Sequence, residues 1–232
     1  MKSIVVDSSS IISLTSNCLL WTLQKLKEAS NVHWIISESV RQETVERAIG
    51  IPRFQLVGTR VLRNIASNTL EVVSKPEIDE AARRILSLAN SIYTAGRDTI
   101  KVLQKADSEV LAIAHNLGSK ALLTDERVMR LVVEEPQTLR NILSSRLHRD
   151  VGFDSDQYKR LGEFVSDVFV LRSAEVVAVA YENGIYDSFI DVAGSGAKRK
   201  FLEGMFWGLK FSGCAMRADE IDKYVKMLIG DA

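Results

Sequence analysis

Five acidic side chains stand where chemistry could use them: Asp7, Glu43, Asp107 and the adjacent pair Asp125 and Glu126. Asp7 ends the short β-branched run Ser3-Ile-Val-Val6, and Asp125 and Glu126 follow the run Ala121-Leu-Leu-Thr124. Glu43 falls in the helix expected after a second strand at 32–36, and Asp107 opens the helix leading to 121–124. If these runs are parallel strands, their carboxyl ends share one rim, where open α/β sheets bind ligands. Two carboxylates ~4 Å apart repel by about 4 kcal/mol at an effective dielectric of 20. Such a cluster therefore keeps a proton or takes up a hard cation. Mg²⁺ and Mn²⁺ favour carboxylate oxygens and water, and one or two such ions suit the attack of water on a phosphodiester.

The elements that must position these acids follow from periodicity. Residues 3–6 read as a buried strand, then three serines, then a helix through the apolar stretch 11–26. Ser37 and Ser39 are N-cap candidates after the second strand, with Ser39-Val-Arg-Gln42 at capping-box spacing. A third strand is expected at 70–73, closed by Lys75-Pro76. Ile78, Ala81, Ala82, Ile85, Ala89 and Ile92 then recur at helical spacing, with Gly96 beyond the end. Val110, Leu111, Ala114 and Leu117 define the next helix, stopped by Gly118. Strand 121–124 and a helix with Met129 and Val132 complete the series. This alternation predicts a three-layer αβα unit with a mostly parallel central sheet.

Beyond Pro136 the pattern is helical. Tyr158, Leu161, Val165 and Val168 share one helical face, and the run continues towards Tyr181 and Gly184. Two more amphipathic helices are expected at 197–211 and 219–229, and no strand. The division that follows is an α/β unit at 1–149 and a helical C-terminal domain or extension at 150–232.

Composition narrows the function classes. With 46% hydrophobic and 26% charged residues, the chain is globular. Thirty basic and thirty acidic side chains cancel, which excludes a histone-like polycation and leaves only local patches for nucleic acid. Arg41, Arg47, Arg53, Arg60 and Arg63 are dense around the expected rim and fit either phosphate contacts or scattered surface charge. Two cysteines, Cys18 and Cys214, are too few for a disulfide framework or a thiolate zinc site. His33, His115 and His148 lack zinc spacing. The first segment reaches Asp7 before any long apolar stretch, and no run approaches the ~20 residues of a membrane span. A cytoplasmic protein without a membrane partner is expected.

Four segments make the comparison with a known family specific. They are Ile4-Val-Val-Asp-Ser-Ser-Ser-Ile-Ile-Ser-Leu14, Ser37-Glu-Ser-Val-Arg-Gln-Glu43, Ala106-Asp-Ser-Glu-Val-Leu-Ala-Ile-Ala114 and Ala121-Leu-Leu-Thr-Asp-Glu-Arg127. In order and spacing they resemble the PIN-domain ribonucleases over about the first 135 residues. The resemblance implies a compact αβα nuclease that cleaves single-stranded RNA with Mg²⁺ or Mn²⁺ held by acids. It matches Asp7, Glu43 and Asp107 to the first three acids, and Ser9 to the hydroxyl that supports the first. At the fourth place the family often reads Thr-x-Asp, whereas Thr124-Asp125-Glu126 sets Glu in that column with Asp125 beside it. Either carboxylate fits. Ser9 and Thr124 would orient the acids. The glycine frequent before the third acid is replaced by Lys105-Ala106. Ala180–Asp187 and Phe211–Glu220 are similar to the tails of some archaeal and bacterial members of unknown role.

Many PIN proteins are toxins of toxin–antitoxin pairs and others process RNA. The resemblance therefore implies RNA as substrate, an antitoxin or RNA-processing partner, and a homodimer as options for the C-terminal helices. Each acid also has an ordinary role. Asp7 and Asp107 could cap the helices that follow, for about 0.5–2 kcal/mol each, and Asp125 and Glu126 could be first-turn acids. The expectation is a metal-dependent endoribonuclease, and the alternative is a silent PIN-fold RNA-binding or assembly module. A haloacid-dehalogenase-type phosphohydrolase is set aside, because Ser9 occupies the place of its second Asp.

Overall fold

The computed structural model describes residues 2–194 and 196–230. Strand β1 (Ser3–Val6) has Val5 and Val6 fully buried, and Asp7 caps the helix that follows it. The expected single helix over 11–26 is two. Helix α1 (Ser8–Ser16) ends where Asn17 Nδ2 donates back to the Ser13 carbonyl at 2.8 Å, and Cys18 takes φ 58°. Helix α2 (Trp21–Ser30) starts anew and leads to β2 (His33–Ser37). A polar Thr-Ser-Asn-Cys stretch breaks the apolar run, because its side chains bond the backbone locally.

Ser37, not Ser39, is the N-cap of α3 (Glu38–Arg41): its hydroxyl accepts the Val40 N–H at 3.1 Å. The helix widens into a π-helical segment over Gln42–Arg47. A 3₁₀ turn (Pro52–Phe54) and α4 (Gln55–Ala66) lead to β3 (Leu70–Val73).

Helix α5 (Pro76–Ala89) stops short of the expected Gly96, which serves as a turn instead. At φ 69°, Gly96 closes the hairpin of β4 (Tyr93–Ala95) and β5 (Asp98–Thr99). Glycine reaches this left-handed conformation without a Cβ penalty. Helix α6 (Lys105–Leu117) ends at Gly118, φ 59°, before β6 (Ala121–Leu123). Helices α7 (Arg127–Glu134), α8 (Pro136–Leu147) and α9 (Ser155–Val165) follow, with the short β7 (Gly152–Phe153) between the last two.

The reading of the C-terminal part as free of strands is overturned by β8 (Phe169–Leu171), which pairs parallel to β6 with Leu122 opposite Val170. Three residues are too few to register against the helical periodicity on either side. The helical run expected from Tyr158 to Gly184 is thus divided into α9 and α10 (Ser173–Glu182); a short α11 (Asp187–Ala193) was not expected, while α12 (Ala197–Phe211) and α13 (Ala218–Ile229) stand where helices were expected.

The five strands order as β3-β2-β1-β6-β8, all parallel, while β5-β4-β7 form a separate small antiparallel sheet. The chain runs outward from β1 through β2 to β3, then returns to the other side of β1. Right-handed crossovers therefore put helices on both faces. Helix α6 lies on β1, β2 and β6, backed by α5 and α9, whereas α2 and α10 meet the sheet at β2 and β8 with α12 and α13 beyond. The expected three-layer αβα architecture is present. Ile36, Leu122 and Leu123 are fully buried within the sheet, each worth about 1.5–3 kcal/mol in apolar area withdrawn from water. The apolar core continues from Val5 through Val177 to Val225. No helix among the described residues is long and apolar enough to cross a membrane.

Candidate active site

Strand order reverses between β1 and β6, and a crevice opens at such a switch point beyond the carboxyl ends of the strands. Asp7 and Thr124 continue the strands at their carboxyl ends: Asp7 N–H donates to Leu123 O at 2.9 Å and Thr124 N–H to Leu171 O at 2.8 Å. The Asp7 carboxylate is 1% exposed and its two oxygens differ. Oδ2 accepts from the Ser9 N–H at 3.2 Å, from the Ser9 hydroxyl and from Thr124 Oγ1 at 3.0 Å. Oδ1 is buried without a hydrogen-bond partner. Ser9 Oγ and Thr124 Oγ1 also accept the N–H groups of Asp125 (3.0 Å) and Glu126 (3.1 Å), so both hydroxyls tie Asp7 to the loop after β6.

Asp107 is buried in the first turn of α6, its Oδ2 accepting the Gln104 N–H at 2.7 Å in a capping box. Burial, opposed by that hydrogen bond and assisted by Asp7, Glu126 and Glu43, pushes its carboxyl up to about 7. Glu126 is also shifted up, by partial desolvation and by Asp7 and Glu43. These four acids therefore face one another electrostatically. Glu43 and Glu126 make no side-chain hydrogen bond or ion pair among the described residues, which leaves both free to turn on their rotamers.

Asp125 is turned away from the other four. Its oxygens accept the Ser173 N–H at 2.8 Å and the Ser173 hydroxyl at 2.7 Å, at the start of α10. Cys214 lies beside it, and burial together with the Asp125 charge pushes that thiol up to about 12. The adjacent acids therefore differ in their surroundings: Glu126 lines the crevice, whereas Asp125 is bonded to Ser173.

Two positioning features escaped the sequence. Glu109, 5% exposed, accepts the Ser39 hydroxyl at 2.8 Å and the Ser39 N–H at 3.2 Å, locking α3 onto α6 and so Glu43 onto the Asp107 side. Its place two residues after Asp107 in the third motif was a visible signal. Arg172, 8% exposed, joins Glu175 (2.6 Å), Glu220 (3.2 Å) and the Ala215 carbonyl (2.9 Å), seating the Phe211–Glu220 stretch against the Asp125 loop. Nothing in one sequence marked that buried cation.

The crevice has a volume of about 380 Å³ and is lined by Glu43, Asp107 and Glu126 together with Ile12, Ile51, Phe54 and Val57. An adjoining cavity of about 680 Å³ shares Glu43 and Arg47 and adds Arg41 and Lys105. Arg41 is paired with Glu38 and Glu46, both at 2.6 Å, and Lys105 with Glu109 at 3.4 Å. Arg47 has no ion-pair partner among the described residues. Arg60 instead donates to Thr15 O at 3.3 Å and lines a separate cavity with Arg63, so the five arginines do not act as one strip.

No group of three or more His, Cys, Asp or Glu side chains is already arranged as a metal cage among the described residues. The donor set nonetheless fits a hard divalent cation. It is all carboxylate, it contains a buried Asp7 oxygen with nothing to bond, and Asp107 holds its proton against a crowd of acids.

Residues 3–137 match the family model DUF3368, described as a PIN domain. No curated protein matches the chain.

Proposed function

The chain belongs to the PIN-domain family, whose fold is of nuclease type, and we propose that it is a divalent-metal-dependent endoribonuclease acting on single-stranded RNA. The observation that carries this reading is the Asp7 Oδ1 atom, buried and unpartnered beside three further acids at the sheet's switch point. An orphaned buried acceptor costs about 1–3 kcal/mol, more when charged, and a cation removes that cost.

Asp7, Glu43, Asp107 and Glu126 would hold Mg²⁺ or Mn²⁺. When bound, such an ion supplies positive charge for a phosphate oxygen and for the departing sugar oxygen. The chain's own residues do the rest. Ser9 and Thr124 fix Asp7 through Oδ2 and leave Oδ1 without a hydrogen-bond partner. Asp107 releases its proton near neutral pH, and there a cation can take the proton's place. Arg47 offers the backbone phosphates an uncommitted guanidinium at the mouth. Hydrolysis then forms a bond from water oxygen to phosphorus as the bond to the sugar oxygen breaks in line. Toxin or RNA-processing roles, with an antitoxin or processing partner or a second copy on the C-terminal helices, extend this reading.

The test is cleavage of a labelled single-stranded RNA with and without Mn²⁺, by the parent and by Asp7→Asn. Metal-dependent cutting that the variant loses supports the reading. RNA retained without cutting, and no thermal shift with Mn²⁺, would favour the silent binding module.

A further inference from the structure

The apolar side of the crevice is unexplained by metal or phosphate chemistry. Ile12, Ile51 and Phe54 are 40%, 38% and 37% exposed, yet they stand in the same 380 Å³ space as Glu43, Asp107 and Glu126. Large apolar side chains grouped at the mouth of a polar site mark a ligand surface.

This wall is built into place. Gly58 lets α4 pack on the segment after the π-helix so closely that a Cβ there would meet Ile49 Cγ1 at 2.7 Å and Ile49 N at 3.1 Å. That contact seats α4, which carries Val57 and follows Phe54, against the segment that continues from Glu43. The Arg53 guanidinium lies 4.5 Å from the Phe54 ring centroid and covers one face of the ring. The ring is thereby steadied, and it remains part of the crevice wall. The segment bearing Glu43 and Arg47 is π-helical, a local widening often found at functional sites.

The occupant must be anionic at one end and flat and apolar at the other. Acids suited to a cation, an unpaired Arg47 and an aromatic ring around one cavity fit a nucleotide unit of a single strand, with its phosphate towards the acids and Arg47. Resting on the nuclease reading, we propose that Phe54, with Ile12, Ile51 and Val57, forms a base-stacking subsite for the nucleotide next to the scissile phosphate. A duplex cannot offer a base face to this wall, so the subsite selects unpaired RNA. Stacking on an aromatic tolerates any base, so the subsite selects strandedness more than sequence.

The experiment measures Mn²⁺-dependent cleavage of a short labelled RNA by the parent, Phe54→Ala, Phe54→Leu and Phe54→Trp. Each substrate is made intact and with single abasic sites flanking the cut. We expect Phe54→Ala to lower kcat/KM about tenfold, mostly through KM, Phe54→Leu to recover little of it and Phe54→Trp most of it. One abasic position should cost the parent about tenfold and cost Phe54→Ala nothing further. Equal abasic penalties in parent and Phe54→Ala, or full activity of Phe54→Leu, would overturn the subsite while leaving the nuclease reading intact. If the parent cuts no RNA, the nuclease reading fails, and the subsite is judged by quenching of the introduced indole in Phe54→Trp by the same oligonucleotide. Quenching beyond that of the three native tryptophans supports it. None overturns it and leaves the wall to a protein segment.

Discussion

Asp125 and Ser173 stand 48 positions apart and are joined twice, through the Ser173 N–H at 2.8 Å and its hydroxyl at 2.7 Å. This pair couples the C-terminal part of the chain to the loop that carries Thr124 and Glu126. The residue beside the candidate acid is therefore its anchor. Ser173→Ala should lower stability by about 1.5–3 kcal/mol, the range for a hydrogen bond to a charged group, with the Mn²⁺ thermal shift retained. Urea unfolding with and without Mn²⁺ checks both; loss of the metal shift with unchanged stability would reverse the assignment.

Glu126→Gln should behave in the opposite way. It removes one of the charges that crowd Asp107 and touches no hydrogen bond of the fold. Stability without metal should be unchanged or higher, while Mn²⁺-dependent cleavage falls about a hundredfold or more, the scale of removing one electrostatic stabiliser. Initial rates over a Mn²⁺ titration, beside a melting curve, would show it.

Asp7→Asn keeps an oxygen for Ser9 and Thr124 but gives up the buried charge. The melting temperature should hold or rise, and both cleavage and the Mn²⁺ shift should vanish. A variant that cuts as well as the parent would end the metal-site proposal.

The pH dependence follows from Asp107. Its carboxyl lies at about 7 in the fold, against 3.8 as a free side chain, with burial as the largest cause. The folded state therefore holds a proton that the unfolded chain has released between these values. The resulting stabilisation is present in full below about pH 4 and lost as pH climbs through about 7. Metal-free protein should lose stability between about pH 4 and about 7, more than Asp107→Asn does, and Mn²⁺ should restore it at the alkaline end. Parallel pH profiles for parent and variant would contradict this.

A chain cut at residue 149 should not give a cooperative fold. It would strip β8 from β6, leave the fully buried Leu122 and Leu123 beside an open edge, and remove both donors of Asp125. Broad, non-cooperative melting of residues 1–149 is expected by circular dichroism; a sharp transition would show that the first part folds alone.

Local sequence carried much of this molecule. Alternating strands and helices, the acids at strand ends, the Asp7 cap and the stop at Gly118 were legible, because each is set by side chains within a few residues. Backbone events that depend on distant packing were not. The break at Cys18, the turn at Gly96 and the three-residue β8 carry too few residues for a periodic signal. The sequence alone placed acids near one rim, through strand direction and the order of motifs. Only tertiary structure set Asp125 and Glu126 apart, since the two carboxylates are neighbours in the chain and differ in that Asp125 meets Ser173 while Glu126 lines the crevice. It also left Asp7 Oδ1 buried and unpaired, a state fixed by hydroxyls more than a hundred residues from each other, which no local pattern encodes.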